Sequence, residues 1–378
     1  MLLKLYFFRK QILLLQRQMK HHVNFTPGPS QLFFTVADHV KHAFKEGIPS
    51  LSHRSKQFEQ ISQETTVGLR ELLNIPADFH IFFTGSATEI WERIFQNLVE
   101  ETSFHLVNGS FSKRFQEIGI QLNKIPHKVE VPAGQGFEKD LSIPQNTELI
   151  AVTHNETSTG VSVPVEWIHD LKKKNQHALM AIDAVSSLPY PAFDFGLIDT
   201  VFFSVQKGFG LPAGLGVWIV NEKCVSRAQY LTSKKISTGS YHNIASLLSH
   251  AKKNQTPETP NVLGIYLLGK VIADFLRRGI DTIRRETDYK AALVYQALEK
   301  SGWIDPFVKE KKFRSKTVIV ADCGEYTEKV SAFLATKGLH AGDGYGQAKK
   351  TQLRFANFPA HSKEQFELLA DALSEFNV

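Results

Sequence analysis

The segment "DTVFFSVQKGFGLPAGLG" (199–216) places one lysine, Lys207, between an apolar run and a loop rich in glycine and proline. The run Val201-Phe202-Phe203 is typical of a strand that is buried on both faces of a sheet. Lysine is usually solvated, so the ordinary interpretation of Lys207 is a surface residue on a turn. A buried strand that ends on an amine also fits a functional group at the carboxyl edge of an open α/β sheet.

Segments upstream of Lys207 alternate between strand-like and helix-like patterns. Apolar runs predict strands at 80–85, 104–109, 148–155 and 179–187. Helical spacing of apolar residues predicts helices at 57–75, 87–100, 111–122 and 164–175. Strands that alternate with helices indicate an α/β fold with a mostly parallel sheet.

The pattern changes at a polar connector, "KNQTPETPN" (253–261). A long helical stretch from 262 to about 299 follows it, and then come two predicted strands and two predicted helices in the last part of the chain. We therefore expect a large domain at 21–262 that includes an N-terminal arm, and a smaller α+β domain at 263–378. Residues 1–20 are expected to form an extension to the large domain.

The basic excess of the chain lies in this extension. The formal charge is +6, from 44 basic and 38 acidic residues, and residues 1–20 contain five basic residues and no acidic one. Because the rest of the chain is nearly balanced, nucleic acid is not expected as a partner. The apolar runs of the extension are broken by Arg9 and Lys10, and neither approaches the ~20 residues that span a bilayer. No membrane anchor is expected, although an amphipathic surface helix is an alternative.

The chain has two cysteines, Cys224 and Cys323. Two are too few for a disulfide framework or a zinc site, so no metal is expected and a cytoplasmic location is favoured.

Small or polar residues follow several of the predicted strands. They are the segment "GSAT" (85–88), the polar stretch 152–160, Asp183 and Lys207. Free amide groups and the helix dipole make a strand–helix junction a phosphate cradle, although small residues also cap ordinary helices. A helix cap or a core salt bridge would equally account for Asp183, since an unpaired carboxylate after a buried strand is costly.

A phosphate cradle, a carboxylate and a strand-end lysine are together what a pyridoxal phosphate site requires. The lysine amine bonds to the cofactor aldehyde. The carboxylate pairs with the pyridinium nitrogen, so that the ring can act as an electron sink. Because these signals occur in order, each at a strand end, the sequence predicts pyridoxal 5′-phosphate as the cofactor.

The sequence resembles the fold-type I, class V pyridoxal phosphate enzymes, and within them the phosphoserine aminotransferases. The resemblance runs from residue 24 to near the C-terminus and is carried mainly by "NFTPGPS" (24–30), "SHRSKQFE" (52–59), "LRELLNIP" (69–76), "NET" (155–157), "QKGFGLPAGLGV" (206–217) and "YLLGKV" (266–271). It implies a large domain with a mostly parallel seven-stranded sheet, a small C-terminal α+β domain, and a homodimer with shared active sites.

The resemblance also implies the roles of individual residues. Lys207 resembles the Schiff-base lysine, and Asp183 resembles the partner of the pyridine nitrogen. Thr157 is similar to the threonine that meets the ring hydroxyl, and Phe111 stands where a tryptophan usually stacks on the ring. Residues that resemble the phosphate and ring contacts are Ser86, Ala87, Thr88 and Gln206.

Thr259 resembles the threonine that is lent to the cofactor phosphate of the neighbouring subunit. The residue before it is Glu258, where the family has asparagine. This departure weakens the match at the connector.

Three residues resemble those that bind the substrate. Arg354 is similar to the arginine that holds the α-carboxylate by two parallel hydrogen bonds. His53 and Arg54 resemble half of the site for the substrate phosphate. The other half is a histidine and an arginine in the family, and those positions hold Gln347 and Ala348 here.

The function implied is transamination between an amino acid and a 2-oxo acid, with phosphoserine:2-oxoglutarate aminotransferase of serine biosynthesis as the first interpretation. An alanine- or serine-glyoxylate type aminotransferase is an alternative, because "FTPGP", "NGSF" and "HNETSTGV" are as similar to that subgroup. A pyridoxal phosphate lyase such as a cysteine desulfurase is a further alternative, but neither cysteine lies in a glycine-rich loop.

Overall fold

The computed structural model describes residues 22–377, so the predicted extension at 1–20 lies outside the described residues. The strands of this part of the chain, in order, are β1 (Val23–Phe25), β2 (Phe79–Thr84), β3 (Thr102–Val107), β4 (Ile125–Glu130), β5 (Leu149–Thr153), β6 (Asn155–Glu156), β7 (Val161–Ser162), β8 (Leu179–Asp183), β9 (Thr200–Ser204), β10 (Gly216–Asn221), β11 (Asp305–Pro306), β12 (Val318–Asp322), β13 (Leu339–Asp343) and β14 (Gln352–Ala356).

The α-helices of the same part of the chain are α1 (Val36–Lys45), α2 (Lys56–Leu73), α3 (Ala87–Leu98), α4 (Ser110–Gln121), α5 (Val165–Lys174), α6 (Glu222–Ser233), α7 (Ile244–Ala251), α8 (Val262–Arg278), α9 (Ile280–Lys300), α10 (Thr327–Thr336) and α11 (Lys363–Glu375). Within residues 22–377, no helix is long and apolar enough to cross a membrane.

The larger sheet has seven strands in the order β2-β10-β9-β8-β5-β3-β4. Strands β9, β8, β5, β3 and β4 are parallel to one another, whereas β10 is antiparallel to both β9 and β2. The predicted mostly parallel, seven-stranded sheet is therefore confirmed. Because β10 is antiparallel to both of its neighbours, β2 runs in the same direction as β9. The carboxyl ends of all strands of this sheet except β10 therefore lie at one edge.

Both faces of this sheet are apolar. Phe83 and Phe203 belong to the core on one face, and Phe82 and Phe202 belong to the core on the other. Successive side chains of a strand point to opposite faces, so an uninterrupted apolar run is required when helices cover both sides.

The smaller sheet has the order β1-β13-β14-β12-β11 and its own core. Strand β1 pairs in parallel with β13, and the buried Phe25 packs edge-on against Phe355 and Phe366. The first strand of the N-terminal arm is therefore an edge strand of the smaller sheet. Three residues are too short a run to reveal a strand by alternation.

The predicted helical stretch from 262 to about 299 is confirmed. The structure has two helices, separated at Gly279, which has a φ of 82° that side-chain-bearing residues rarely adopt. Helix α8 packs in the core of the large sheet, since Leu268 and Phe275 belong to that core. We therefore propose that the boundary between the domains lies within α9, after Ile283, and not at 262.

Candidate active site

Lys207 lies three residues beyond the end of β9 and is only 7% exposed. Its Nζ atom donates a hydrogen bond to Thr157 Oγ1 at 3.0 Å and lies 5.2 Å from the centre of the Phe111 ring. The residue that follows must be glycine, because a Cβ at Gly208 would lie 1.9 Å from the carbonyl oxygen of Leu188. The loop after the lysine is thus packed tightly enough to hold the amine inside the molecule.

Burial lowers the pKa of Lys207 to about 8, although the negative charges of Asp183 and Glu156 act in the opposite direction. An ordinary lysine has a pKa of about 10.4. At pH 8 about half of the Lys207 amine is therefore uncharged, the form that can act as a nucleophile or accept a proton.

Asp183 ends β8, which is the parallel neighbour of β9. Its Oδ2 atom accepts a hydrogen bond from Trp91 Nε1 at 2.9 Å, and its Oδ1 atom accepts one from the Val185 amide at 3.0 Å. Burial raises the pKa of the carboxyl to about 6, and both hydrogen bonds oppose this shift. Asp183 is thus fixed in orientation by neutral donors at the same sheet edge as Lys207.

The segment 85–88 joins β2 to α3 at this edge. Ser86 is the N-cap of the helix, and its Oγ atom accepts a hydrogen bond from the Glu89 amide at 3.1 Å. The Ala87 amide donates to Ser204 Oγ at 2.9 Å, which ties the junction to the end of β9. Thr88 is exposed. The predicted cradle therefore lies beside the strand that delivers Lys207.

Gln206 directly precedes Lys207, and its backbone carbonyl accepts a hydrogen bond from the Ser30 amide at 3.0 Å. Its side-chain Oε1 atom is buried and has no hydrogen-bond partner among the described residues. A buried amide oxygen without a partner is unfavourable in the protein alone and is consistent with a polar ligand at this place.

Arg354, on β14 of the smaller sheet, reaches the same place. Its Nε atom donates to the Asp343 carbonyl at 2.7 Å, and its Nη1 atom donates to the Thr157 carbonyl at 3.3 Å. The guanidinium lies 5.5 Å from the ring of Tyr345, and that ring lies 5.1 Å from the ring of Phe111. Residues of both sheets therefore converge on Lys207.

The residues predicted for the distal anion have other partners. Arg54 donates to Gln255 Oε1 and to the Thr256 carbonyl, both at 2.8 Å, and to the Pro257 carbonyl at 3.3 Å. Arg54 thus holds the connector that leads to the exposed Thr259. His53 is its neighbour in the same loop, and burial lowers the pKa of this histidine.

The loop before Arg354 contributes no histidine or arginine. Gln347 and Ala348 lie in a short 3₁₀ helix, Gly346–Lys350, in which Gln347 is exposed. The nearest charged contact in this loop is an exposed pair, Lys349 Nζ and Asp343 Oδ2 at 3.8 Å.

Comparison with known proteins identifies the family. The sequence profile described as "Aminotransferase class-V" matches residues 22–354. The chain belongs to the class-V aminotransferase family. The predicted family is therefore confirmed, and this protein is a pyridoxal phosphate-dependent aminotransferase.

Individual relatives agree with this assignment. A phosphoserine aminotransferase of Rhodococcus opacus (strain B4) is 28% identical over 327 residues, which is 85% of this chain and 86% of that protein. The crystal structure of a phosphoserine aminotransferase from Cytophaga hutchinsonii is 49% identical, with a TM-score of 0.93 over 94% of this chain and 99% of that one. An aspartate aminotransferase of Thermus thermophilus, 23% identical, shares the fold with a TM-score of 0.81 over 93% of this chain and 97% of that one.

The residues of this class-V aminotransferase fit its cofactor. A buried amine, a buried carboxylate held by neutral donors, an aromatic ring near the amine and a helix N-terminus lie at one sheet edge. The unpartnered Gln206 Oε1 adds a polar group that the protein alone does not satisfy. These are the groups that a phosphorylated pyridine aldehyde requires.

Sequence reasoning about this aminotransferase missed two residues of the site. Trp91 is a buried residue of helix α3, and nothing in the local sequence indicates its hydrogen bond to Asp183. Glu156 is fully buried, and its carboxylate accepts hydrogen bonds from the Ser112 amide at 2.9 Å and from Ser158 Oγ at 2.6 Å. Gly109 leaves the space for it, because a Cβ there would lie 2.4 Å from Glu156 Cγ. Glu156 therefore anchors the N-terminus of α4, the helix that carries Phe111.

Proposed function

We propose that this class-V aminotransferase transfers the amino group of phosphoserine to 2-oxoglutarate, with pyridoxal phosphate bound at Lys207. The observation that carries the cofactor role is the convergence of Lys207, Asp183 and Arg354 at one edge of the large sheet. The substrate is supported by the phosphoserine aminotransferases named above, one of them 49% identical over nearly the whole chain.

Pyridoxal phosphate, when bound, supplies an aldehyde that captures amines and a ring that withdraws electrons from the substrate Cα. Lys207 Nζ would hold the cofactor through this aldehyde and would accept the proton that leaves the substrate Cα. The lowered pKa of about 8 suits this task, because the amine must be uncharged when it accepts a proton. Thr157 Oγ1 orients the amine.

Asp183 would hold the pyridine nitrogen in its protonated form. The Trp91 indole and the Val185 amide each bond one carboxylate oxygen, which fixes its plane and favours its ionised form. Phe111, whose ring centre lies 5.2 Å from Lys207 Nζ, would shield the amine from water. Ser86, Ala87 and Thr88 would hold the cofactor phosphate at the N-terminus of α3.

Arg354 would bind the substrate α-carboxylate. Its hydrogen bonds to the Asp343 and Thr157 carbonyls leave part of the guanidinium fork for a carboxylate. His53 and Arg54 would receive the distal phosphate, and Thr259 would contact the cofactor phosphate of a second subunit. We therefore propose a homodimer with shared active sites, in the cytoplasm.

The test of the substrate is kcat/KM for phosphoserine, serine and alanine with 2-oxoglutarate as acceptor. Phosphoserine should be the preferred donor. Arg54→Ala should weaken phosphoserine selectively by roughly tenfold or more, because a charge-assisted hydrogen bond is lost. Arg354→Ala should weaken all three donors alike. Arg277→Ala, which removes an exposed arginine that pairs with Asp274 on α8, is the control and should change none of them.

A second candidate follows from the partners of Arg54. Its guanidinium already donates to three oxygen atoms of the connector, and uncharged Gln347 and Ala348 follow Tyr345. If serine or alanine is preferred over phosphoserine and Arg54→Ala changes only cofactor affinity, the phosphoserine assignment fails. Glyoxylate as the preferred acceptor would then support the alanine- or serine-glyoxylate type.

A further inference from the structure

His242 lies between two carboxylates. Its Nδ1 atom forms a hydrogen bond with Glu89 Oε1, and its Nε2 atom forms one with Glu258 Oε2 at 2.8 Å. The imidazole side chain is 1% exposed, and the ring of Tyr241 stacks on it with 3.8 Å between the ring centres. Both ring nitrogens are thus committed to carboxylates in a place that water hardly reaches.

Glu89 connects this histidine to the phosphate cradle. It is the third residue of α3, and its amide is capped by Ser86 Oγ. Its Oε2 atom accepts a hydrogen bond from the Gly85 amide at 3.0 Å, while its Oε1 atom faces His242. The two oxygens of one carboxylate therefore join the cradle backbone to the histidine.

Glu258 connects the histidine to the connector. Its carbonyl accepts a hydrogen bond from Thr256 Oγ1 at 2.8 Å, and Thr259 is the next residue. Arg54 holds the same segment at the Thr256 and Pro257 carbonyls. A displacement of the Glu258 side chain would therefore move the exposed Thr259.

We propose that Glu89, His242 and Glu258 form a clamp that holds the cradle at 85–88 in place for the cofactor phosphate of this subunit and Thr259 in place for that of the second subunit, so that His242 is a positioning residue for the cofactor phosphate. The clamp rests on the proposed function only in that the ligand of the cradle is the phosphate of pyridoxal phosphate. It also gives a physical reason for glutamate at 258, because a carboxylate there forms an ion pair with a protonated imidazole.

Charge supports the clamp. Burial alone lowers the pKa of His242, but the hydrogen bonds and negative charges of Glu258 and Glu89 outweigh it and raise this pKa to about 9. The other group of α3 near the clamp is Arg93, 3.9 Å from Glu89 Oε1, and His53 lies in the field of Glu258. A protonated His242 thus offsets the negative charge of Glu89, which would otherwise oppose the charge of a phosphate dianion in the cradle.

The test is the dissociation constant of pyridoxal phosphate, measured by its absorbance change on binding, for the full chain and for His242→Gln. The variant should bind the cofactor roughly tenfold more weakly or worse, the loss expected for one charge-assisted hydrogen bond. Wild-type affinity should fall as the pH rises through about 9, and the variant should lack this inflection. His250→Gln is the matched control, since this nearby histidine bonds the Ser246 carbonyl and not a carboxylate.

Glu258→Gln tests the same clamp if His242→Gln does not fold. It keeps the shape of the side chain and an acceptor for His242 but removes the charge, so it should weaken cofactor binding and move the inflection below pH 9. The clamp is overturned if wild type, His242→Gln and His250→Gln have equal dissociation constants for the cofactor. It is also overturned if wild type and Glu258→Gln have equal dissociation constants and equal pH inflections. If wild type itself binds no pyridoxal phosphate, the proposed function fails instead.

Discussion

Lys207 and Asp183 are ionisable residues that lie almost wholly out of water at the ends of two adjacent strands. Burial penalises the charged form of each, so the pKa of the amine falls to about 8 and the pKa of the carboxyl rises to about 6. The two groups differ in their partners, since Lys207 Nζ bonds a hydroxyl and Asp183 receives two N–H groups. At the residue scale, the site therefore combines an amine that is partly uncharged near pH 8 with a carboxyl group that is mostly ionised at neutral pH.

The amine gives a pH prediction. Below pH 8 the Lys207 amine is mostly protonated and cannot attack an aldehyde, and above it the amine is mostly free. The rate at which cofactor-free protein captures pyridoxal phosphate should therefore rise with pH around a midpoint of about 8. Stopped-flow absorbance over a pH series measures this rate. A midpoint near the ordinary lysine value of about 10.4 would contradict the burial of the amine.

Trp91 gives a second prediction at the residue scale. Trp91→Phe keeps the aromatic packing against Phe115 but removes the N–H bonded to Asp183. The pKa of Asp183 should rise above about 6, and cofactor affinity should fall roughly tenfold with the lost hydrogen bond. Trp167→Phe is the matched control, because the buried Trp167 Nε1 has no partner among the described residues. Equal cofactor affinity in both variants would count against Trp91 as a positioning residue.

At the element scale, helix α4 shows how a buried charge fixes a working side chain. The Glu156 carboxylate accepts from the amides of Ser112 and Ser158 and from both of their hydroxyls. A negative charge at a helix N-terminus is stabilised by the unpaired amides and the helix dipole. Phe111 is the second residue of this helix, so its ring position depends on Glu156.

Glu156→Gln is therefore expected to destabilise the protein. The glutamine amide keeps the shape of the side chain but loses its charge, and its N–H groups face the N–H and O–H groups of Ser112 and Ser158. This change should cost about 1–2 kcal/mol in the free energy of unfolding. Urea unfolding measures this cost, and cofactor affinity reports the position of Phe111. Glu117→Gln on the same helix, where the half-buried carboxylate lies 3.8 Å from Arg114 Nη1, should change neither quantity. Unfolding curves of Glu156→Gln that overlay those of wild type would refute this role.

At the scale of the whole molecule, the sequence predicted what depends on local pattern and missed what depends on distant partners. Continuous apolar runs revealed the sheet strands because both sheet faces are covered, and strand ends revealed Lys207 and Asp183. The pairing of β1 with β13 joins residues over 300 positions apart, so no local pattern indicates it. Glu258 was visible only as a departure from the family, because its partner, His242, had no signal of its own.

The assembly also belongs to this scale. If Thr259 serves the neighbouring subunit, Lys207→Ala and Thr259→Ala each damage a different half of every active site. Mixed dimers of the two variants should then regain activity at one intact site, well above the sum of the separate variants. Activity after co-refolding measures this complementation. Merely additive activity, or an active monomer in sedimentation, would contradict the shared site.

The most direct measurement of the central claim is borohydride reduction of the cofactor-bound protein, followed by mass spectrometry of its peptides. Reduction makes the bond between the cofactor aldehyde and its lysine permanent. We predict a pyridoxyl phosphate group on Lys207 and on no other lysine, and none on this peptide in Lys207→Ala. Modification of a different lysine, or an unmodified Lys207 in protein that carries the cofactor, would contradict the proposed site.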